Sequence, residues 1–136
     1  MNTKITLLLA LILLIVIVFV SCAAKTNDTS TQGTYKKISA QEAKEMMEAH
    51  PDAIILDVRT SSEYAEGHIQ NATLLPNETI SATQRPGMLP DLDAMILVYC
   101  RSGNRSAQAA KKLVALGYTS VYDFGGIGGW PYGIVK

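Results

Sequence analysis

The chain of 136 residues is short of the side chains that build covalent or metal-bound scaffolds, with two cysteines and two histidines. The two cysteines, Cys22 and Cys100, fall to different tasks below, so no intramolecular disulfide is expected. Beyond residue 34 there are only Cys100, His50 and His68, without ligand spacing, and no metal site or other cofactor is expected. An excess of either charge is also missing. Twelve Lys and Arg face twelve Asp and Glu, and setting aside residues 1–22, whose one charged side chain is Lys4, leaves 11 basic against 12 acidic. That balance argues against a nucleic-acid partner. The length allows one ordinary domain and no second.

Long apolar runs are rare too, with one exception at the start. Ile5 to Val20 is apolar apart from Thr6, preceded by Lys4 and followed by Ser21-Cys22-Ala23-Ala24. This positive, apolar, small-residue order is that of a secretory signal. Phe19-Val20-Ser21-Cys22 resembles the lipobox of bacterial lipoproteins, which implies cleavage before Cys22 and lipid attachment to it; Phe19 departs from the usual leucine. The apolar run exceeds the ~7–15 residues of a typical signal core, so an uncleaved anchor is the second reading. Such an anchor is short against the ~17–25 residues of a spanning helix. Either route, with Lys4 kept inside, places the rest of the chain outside the cytoplasm and attached to a membrane. Residues 23–34, rich in Thr, Asn, Ser, Ala and Gly, read as a flexible tether.

The domain is expected over residues 35–136. Tyr35 to Ile38 reads as a short strand, and Ser39-Ala40-Gln41-Glu42 as a capping box opening a helix to Ala49, ended by His50-Pro51. Ala53 to Val58 is a compact apolar run that predicts a buried strand delivering Asp57 to its end. A helix over 62–66 with Ser61 near its cap and a strand around Ala72 to Leu75 follow. Pro76, Pro86 and Pro90 leave 76–93 as loops with at most one helical turn. Met95 to Tyr99 is the central strand, Arg105 to Leu116 a helix stopped by Gly117, and Val121-Tyr122 a last strand. The glycine-rich run 124–130 is expected to lead into a terminal helix. Alternating strands and helices imply an α/β domain with a mostly parallel sheet, in which ligands bind beyond the carboxyl ends of the strands.

The run Cys100-Arg101-Ser102-Gly103-Asn104-Arg105-Ser106 lies between the central strand and a helix, where backbone N–H groups converge and the helix dipole is positive. Such a setting lowers a cysteine pKa from about 8.5 to roughly 3.5–7.5. Arg101 directly after Cys100 implies that the chain has left the core, so Cys100 is expected to be an exposed, reactive thiolate rather than a small buried hydrophobe.

Three pieces together resemble the single-domain rhodanese family: Asp57-Val58-Arg59 with Glu63-Tyr64 and Gly67-His68-Ile69; the run 100–106; and Gly125-Gly126 followed by Trp130. The resemblance implies a five-stranded parallel sheet flanked by helices and a persulfide on Cys100, which takes sulfane sulfur from thiosulfate or a similar donor and yields it to cyanide or a thiol. Arg101 would then contact the donor, while Ser102, Gly103 and Asn104 supply backbone N–H groups. Arg105 either faces the pocket or pairs with a carboxylate, and Asp57 and Arg59 either tune the site or brace a strand end as an ion pair. His68, Trp130 and the neighbouring glycines read as fold-organising residues. Related phosphatases place five residues between cysteine and arginine; only four separate Cys100 from Arg105, and Ser106 holds the position of the phosphatase arginine. The shorter loop suits a sulfane sulfur. A rhodanese-like module that binds an anion or partner without catalysis is the alternative from another class.

Overall fold

The computed structural model describes residues 33–136. The signal, anchor and Cys22 readings, and the tether up to residue 32, lie outside the described residues. The elements in order are β1 (Lys36–Lys37), α1 (Ala40–Ala49), β2 (Ile54–Asp57), α2 (Ser61–Glu66), β3 (Thr73–Leu74), a 3-10 turn (Asn77–Thr79), β4 (Ile96–Cys100), α3 (Asn104–Ala115), β5 (Val121–Gly126) and a 3-10 turn (Ile127–Gly129). All five strands are parallel, in the spatial order β1-β5-β4-β2-β3. This is the α/β architecture expected above, a five-stranded parallel sheet flanked by helices, with β4 at the centre of the sheet.

Strand alternation divides the core into two layers. Ile96, Val98 and Cys100 of β4 pack with Leu56 of β2 against Ala109, Ala110 and Leu113 of α3. Leu97 and Tyr99 point the other way and share a cluster with Ala43 and Met47 of α1, Tyr64 of α2 and Phe124 of β5. Every residue of β4 is buried, as a strand covered on both faces requires. The register Asp57↔Tyr99 and Cys100↔Gly126 brings the carboxyl ends of β2, β4 and β5 together at one rim.

Caps set the helix starts. Ser39 and Glu42 exchange side-chain and backbone bonds at the head of α1 as expected. At α2 the cap is Thr60 rather than Ser61: its hydroxyl accepts from the Glu63 N–H, and the Glu63 carboxylate accepts from the Thr60 N–H. Thr60 wins because the box needs its acidic residue three positions on.

Two further expectations are corrected. β5 runs on to Gly126, and no terminal helix follows; the chain makes one 3-10 turn and then an isolated antiparallel bridge between Val135 and His68. Pro131 explains this, because the residue before a proline is pushed out of the helical region, and Trp130 is extended at φ −92° and ψ 106°. The three glycines at 128, 129 and 133 add to the cost of a helix there.

Candidate active site

The loop 100–106 is held where β4 ends and α3 begins. Gly103 is the N-cap residue of α3 at φ +97°, a left-handed conformation that lets the chain double back over Cys100. Its N–H donates to Cys100 Sγ at 3.0 Å. From the far side β5 presses close: a Cβ on Gly126 would sit 2.5 Å from the Arg101 carbonyl oxygen and 2.9 Å from Ser102 Cα. Gly126 is therefore what lets the two backbones meet.

Cys100 is fully buried, which corrects the expectation of an exposed thiol. Cys100 is the last residue of β4 rather than the first beyond it, and the alternation that carries Ile96 and Val98 inward carries its sulfur onto α3. Burial pushes the thiol pKa up. Hydrogen bonding outweighs this, first from the Ser106 backbone and hydroxyl, then from the backbone of Gly103 and Ser102, so the thiol lies below its ordinary value.

The arginines have separate fates. Arg101 is exposed and makes no ion pair among the described residues. Arg105 forms a bidentate pair with Glu63, Nη1 to Oε2 at 2.7 Å and Nη2 to Oε1 at 2.8 Å. The guanidinium holds the Glu63 carboxyl down to about 2, helped by the Thr60 backbone and hydroxyl. Of the two readings of Arg105, the pairing with a carboxylate is present in the structure. Asn104 opens α3, and its side chain accepts from Gln108 Nε2 at 3.1 Å.

Asp57 and Arg59 form a closed brace. Arg59 Nη2 donates to Asp57 Oδ2 at 2.6 Å and to the Gly67 carbonyl at 2.8 Å, and Tyr99 Oη donates to the same Asp57 oxygen at 2.6 Å. Tyr99 Oη in turn accepts from the Ile69 N–H. Tyr99 and Cys100 are neighbours in β4 and belong to opposite faces, so this network and the sulfur are on different sides of the sheet. The geometry favours the bracing role. His68 stacks on Tyr64 with ring centroids 3.7 Å apart and pairs by its backbone with Val135. Trp130 packs on Phe124 and donates its Nε1 proton to the Gly133 carbonyl.

Two residues that the sequence offers only as parts of motifs, with no role at the site, take one here. Glu63 neutralises the loop arginine, and Ser106 places its hydroxyl 3.6 Å from Cys100 Sγ. The Thr60-to-Glu63 capping signal was visible in sequence; the 42-residue separation of Glu63 from Arg105 was not readable as a contact. A cleft of about 390 Å³, lined by Arg59, Glu63, Glu66, Ile127, Gly128 and Trp130 among others, adjoins the Glu63–Arg105 pair. A cleft of about 440 Å³ lies between α1 and the C-terminal segment, and neither cleft is lined by any of residues 100–106.

The Rhodanese-like domain model matches residues 39–131. A thiosulfate sulfurtransferase GlpE of Pseudomonas entomophila is 38% identical over 92 residues, covering 68% of this chain and 80% of the relative. A rhodanese-like domain protein from Staphylococcus aureus superposes with a TM-score of 0.62 at 33% identity, covering 74% of this chain and 96% of that structure. A human single-domain sulfurtransferase, TSTD1, gives a TM-score of 0.58 at 28% identity over 66% of this chain and 88% of that one.

Proposed function

This chain belongs to the rhodanese-like family of sulfurtransferases, and we propose that it carries sulfane sulfur from thiosulfate or a similar donor to cyanide or a thiol as a persulfide on Cys100. The observation that supports this most is the Gly103 N–H aimed at Cys100 Sγ at 3.0 Å. A backbone donor there stabilises the attacking thiolate and again the thiolate that returns when the acceptor removes the outer sulfur. Exposed Arg101 and Ser102, adjacent in the chain to the buried sulfur, mark the side from which a donor reaches it. The Arg101 guanidinium is suited to hold the donor's oxygens.

A phosphatase reading would need a loop arginine free to surround a phosphoryl group. Arg105 is committed to Glu63, and the position where the longer phosphatase loop has its arginine holds the Ser106 hydroxyl instead. The experiment is a sulfur-transfer assay with thiosulfate and cyanide on the parent protein and Cys100→Ser. The serine variant should fold as the parent does and be inactive, because a hydroxyl forms no stable persulfide. Full activity in that variant would remove Cys100 from the reaction.

The proposal extends to the cell surface: lipid on Cys22, or an uncleaved anchor over residues 5–20, tethers the domain outside the cytoplasm. Membrane fractionation with intact-mass measurement of parent and Cys22→Ala tests this. An unmodified parent chain beginning at Met1 would exclude lipidation and leave the anchor.

A further inference from the structure

Ser106, the first residue after the loop arginine, is wholly buried, and two carbonyl oxygens and the Cys100 sulfur converge on its hydroxyl. Ser106 Oγ is 3.1 Å from the Gly103 carbonyl oxygen, 3.5 Å from that of Gly125 and 3.6 Å from Cys100 Sγ. A hydroxyl has one proton and two lone pairs, so it serves only one of the three as donor at a time. While Cys100 is a thiol its S–H donates to Ser106 Oγ, and the Ser106 proton goes to Gly103 O, so the chain is satisfied. Once the thiol loses its proton to solvent, the sulfur becomes an acceptor only and that arrangement leaves lone pair facing lone pair. Turning the hydroxyl onto Sγ resolves the conflict. Gly103 O is not orphaned by the turn, because the Ala107 N–H still donates to it at 3.3 Å.

We infer that Ser106 is a positioning residue for sulfur transfer, its hydroxyl turning from the Gly103 carbonyl to Cys100 Sγ whenever that sulfur carries negative charge. The inference rests on the persulfide reading of this site. In the first half-reaction the thiolate attacks the donor's outer sulfur; a new S–S bond forms, the donor's S–S bond breaks, and sulfite departs with the electron pair. Sγ is then uncharged, and the Ser106 proton swings back to Gly103 O. In the second half the acceptor nucleophile attacks the outer sulfur, the pair returns to Sγ, and the hydroxyl turns again. Both charged states of the inner sulfur thus gain a donor that the persulfide state does not need: on entry it raises the fraction of Cys100 present as thiolate, and on exit it stabilises the thiolate as it leaves.

Other charged and titratable groups stand on the elements packed around Cys100. Arg105 of α3 acts on it electrostatically, while Glu63 of α2 and Glu78 of the 3-10 turn act on Arg105. Arg101 is on the loop itself. Tyr99 of β4 and Asp57 of β2 are locked with Arg59 on the other face of the sheet, and Asp123 of β5 accepts from the Gly125 N–H. None of these bonds the sulfur; Ser106 is the side chain that does.

The test is the pH dependence of Cys100 alkylation by iodoacetamide in the full chain, read by mass on the Cys100 peptide. It compares the parent, Ser106→Ala, and the equal-volume pair Ser106→Thr and Ser106→Val. Ser106→Ala should move the midpoint up by about one pH unit, a tenfold loss of thiolate below it. Sulfur transfer should fall about tenfold at the lower pH and recover as pH rises past the new midpoint. Threonine should stay near the parent midpoint and valine should shift with alanine, which separates the hydroxyl from packing. An unshifted Ser106→Ala midpoint, or Thr and Val variants that titrate together, would overturn the inference. A parent that gains no sulfur from thiosulfate would instead sink the sulfurtransferase reading and leave the midpoints to judge the hydroxyl.

Discussion

At the scale of the residue, two arginines four positions apart do different work. Arg101 is exposed and unpaired among the described residues; Arg105 has its charge matched by Glu63. Arg101→Ala should therefore raise the apparent KM for thiosulfate by an amount equivalent to about 1.5–3 kcal/mol, the worth of a charge-assisted hydrogen bond, with the larger share in KM rather than kcat. Steady-state kinetics checks this, and an unchanged KM would place the side chain outside the donor's reach. The sequence made Cys100 and the loop stand out because strand, cysteine, small residues and helix are consecutive, and local order carries that signal. It was misleading on exposure: Arg101 marks the end of the strand, but the sulfur one residue earlier follows the inward alternation of β4. Arg105 stayed ambiguous because its partner comes from α2, and a contact across 42 residues leaves no local trace.

At the scale of the element, the site depends on β5 lying against the loop. Gly126 has no room for a Cβ, whose near neighbours would be the backbone of Arg101 and Ser102 rather than flexible side-chain ends. Gly126→Ala should push the loop away from Sγ. A displacement of about 1 Å can cost on the order of a hundredfold in rate, and overpacking here should destabilise the fold by about 1–3 kcal/mol. Urea unfolding and a sulfur-transfer assay on the same preparation measure both, and a variant with parent activity would show that the close approach is dispensable. Capping boxes and buried strands were readable to within a residue or two, since each is a short-range pattern. The end of the chain was not. Glycines after a strand point locally to a turn into a helix, whereas Pro131 keeps Trp130 extended and the last residues add a bridge to His68.

At the scale of the molecule, the parallel order β1-β5-β4-β2-β3 gathers β2, β4 and β5 at one rim, yet the central sheet keeps the Asp57–Arg59–Tyr99 brace and the Cys100 sulfur on opposite faces. Composition and element order made the α/β class legible; which face each rim residue serves follows from register, which a single sequence does not display. Folding itself is tied to the site through Glu63. Its carboxyl is held near 2 in the folded chain against an ordinary 4.5, so its contribution is present above about 4.5 and is lost as pH falls toward 2. Glu63→Gln should therefore be less stable than the parent by about 1–2 kcal/mol at neutral pH, and the gap should close as pH approaches 2. Denaturation of both proteins across that range checks it; a gap independent of pH would mean that the ionised pair is not what Glu63 contributes. The central claim, that Cys100 carries sulfur between two partners, is tested most directly by intact-mass measurement of the protein after thiosulfate treatment and again after cyanide. The account predicts a gain of one sulfur atom located on Cys100, its removal by cyanide, and no gain in Cys100→Ser; a folded parent that gains none would contradict it and favour a module that binds without catalysis.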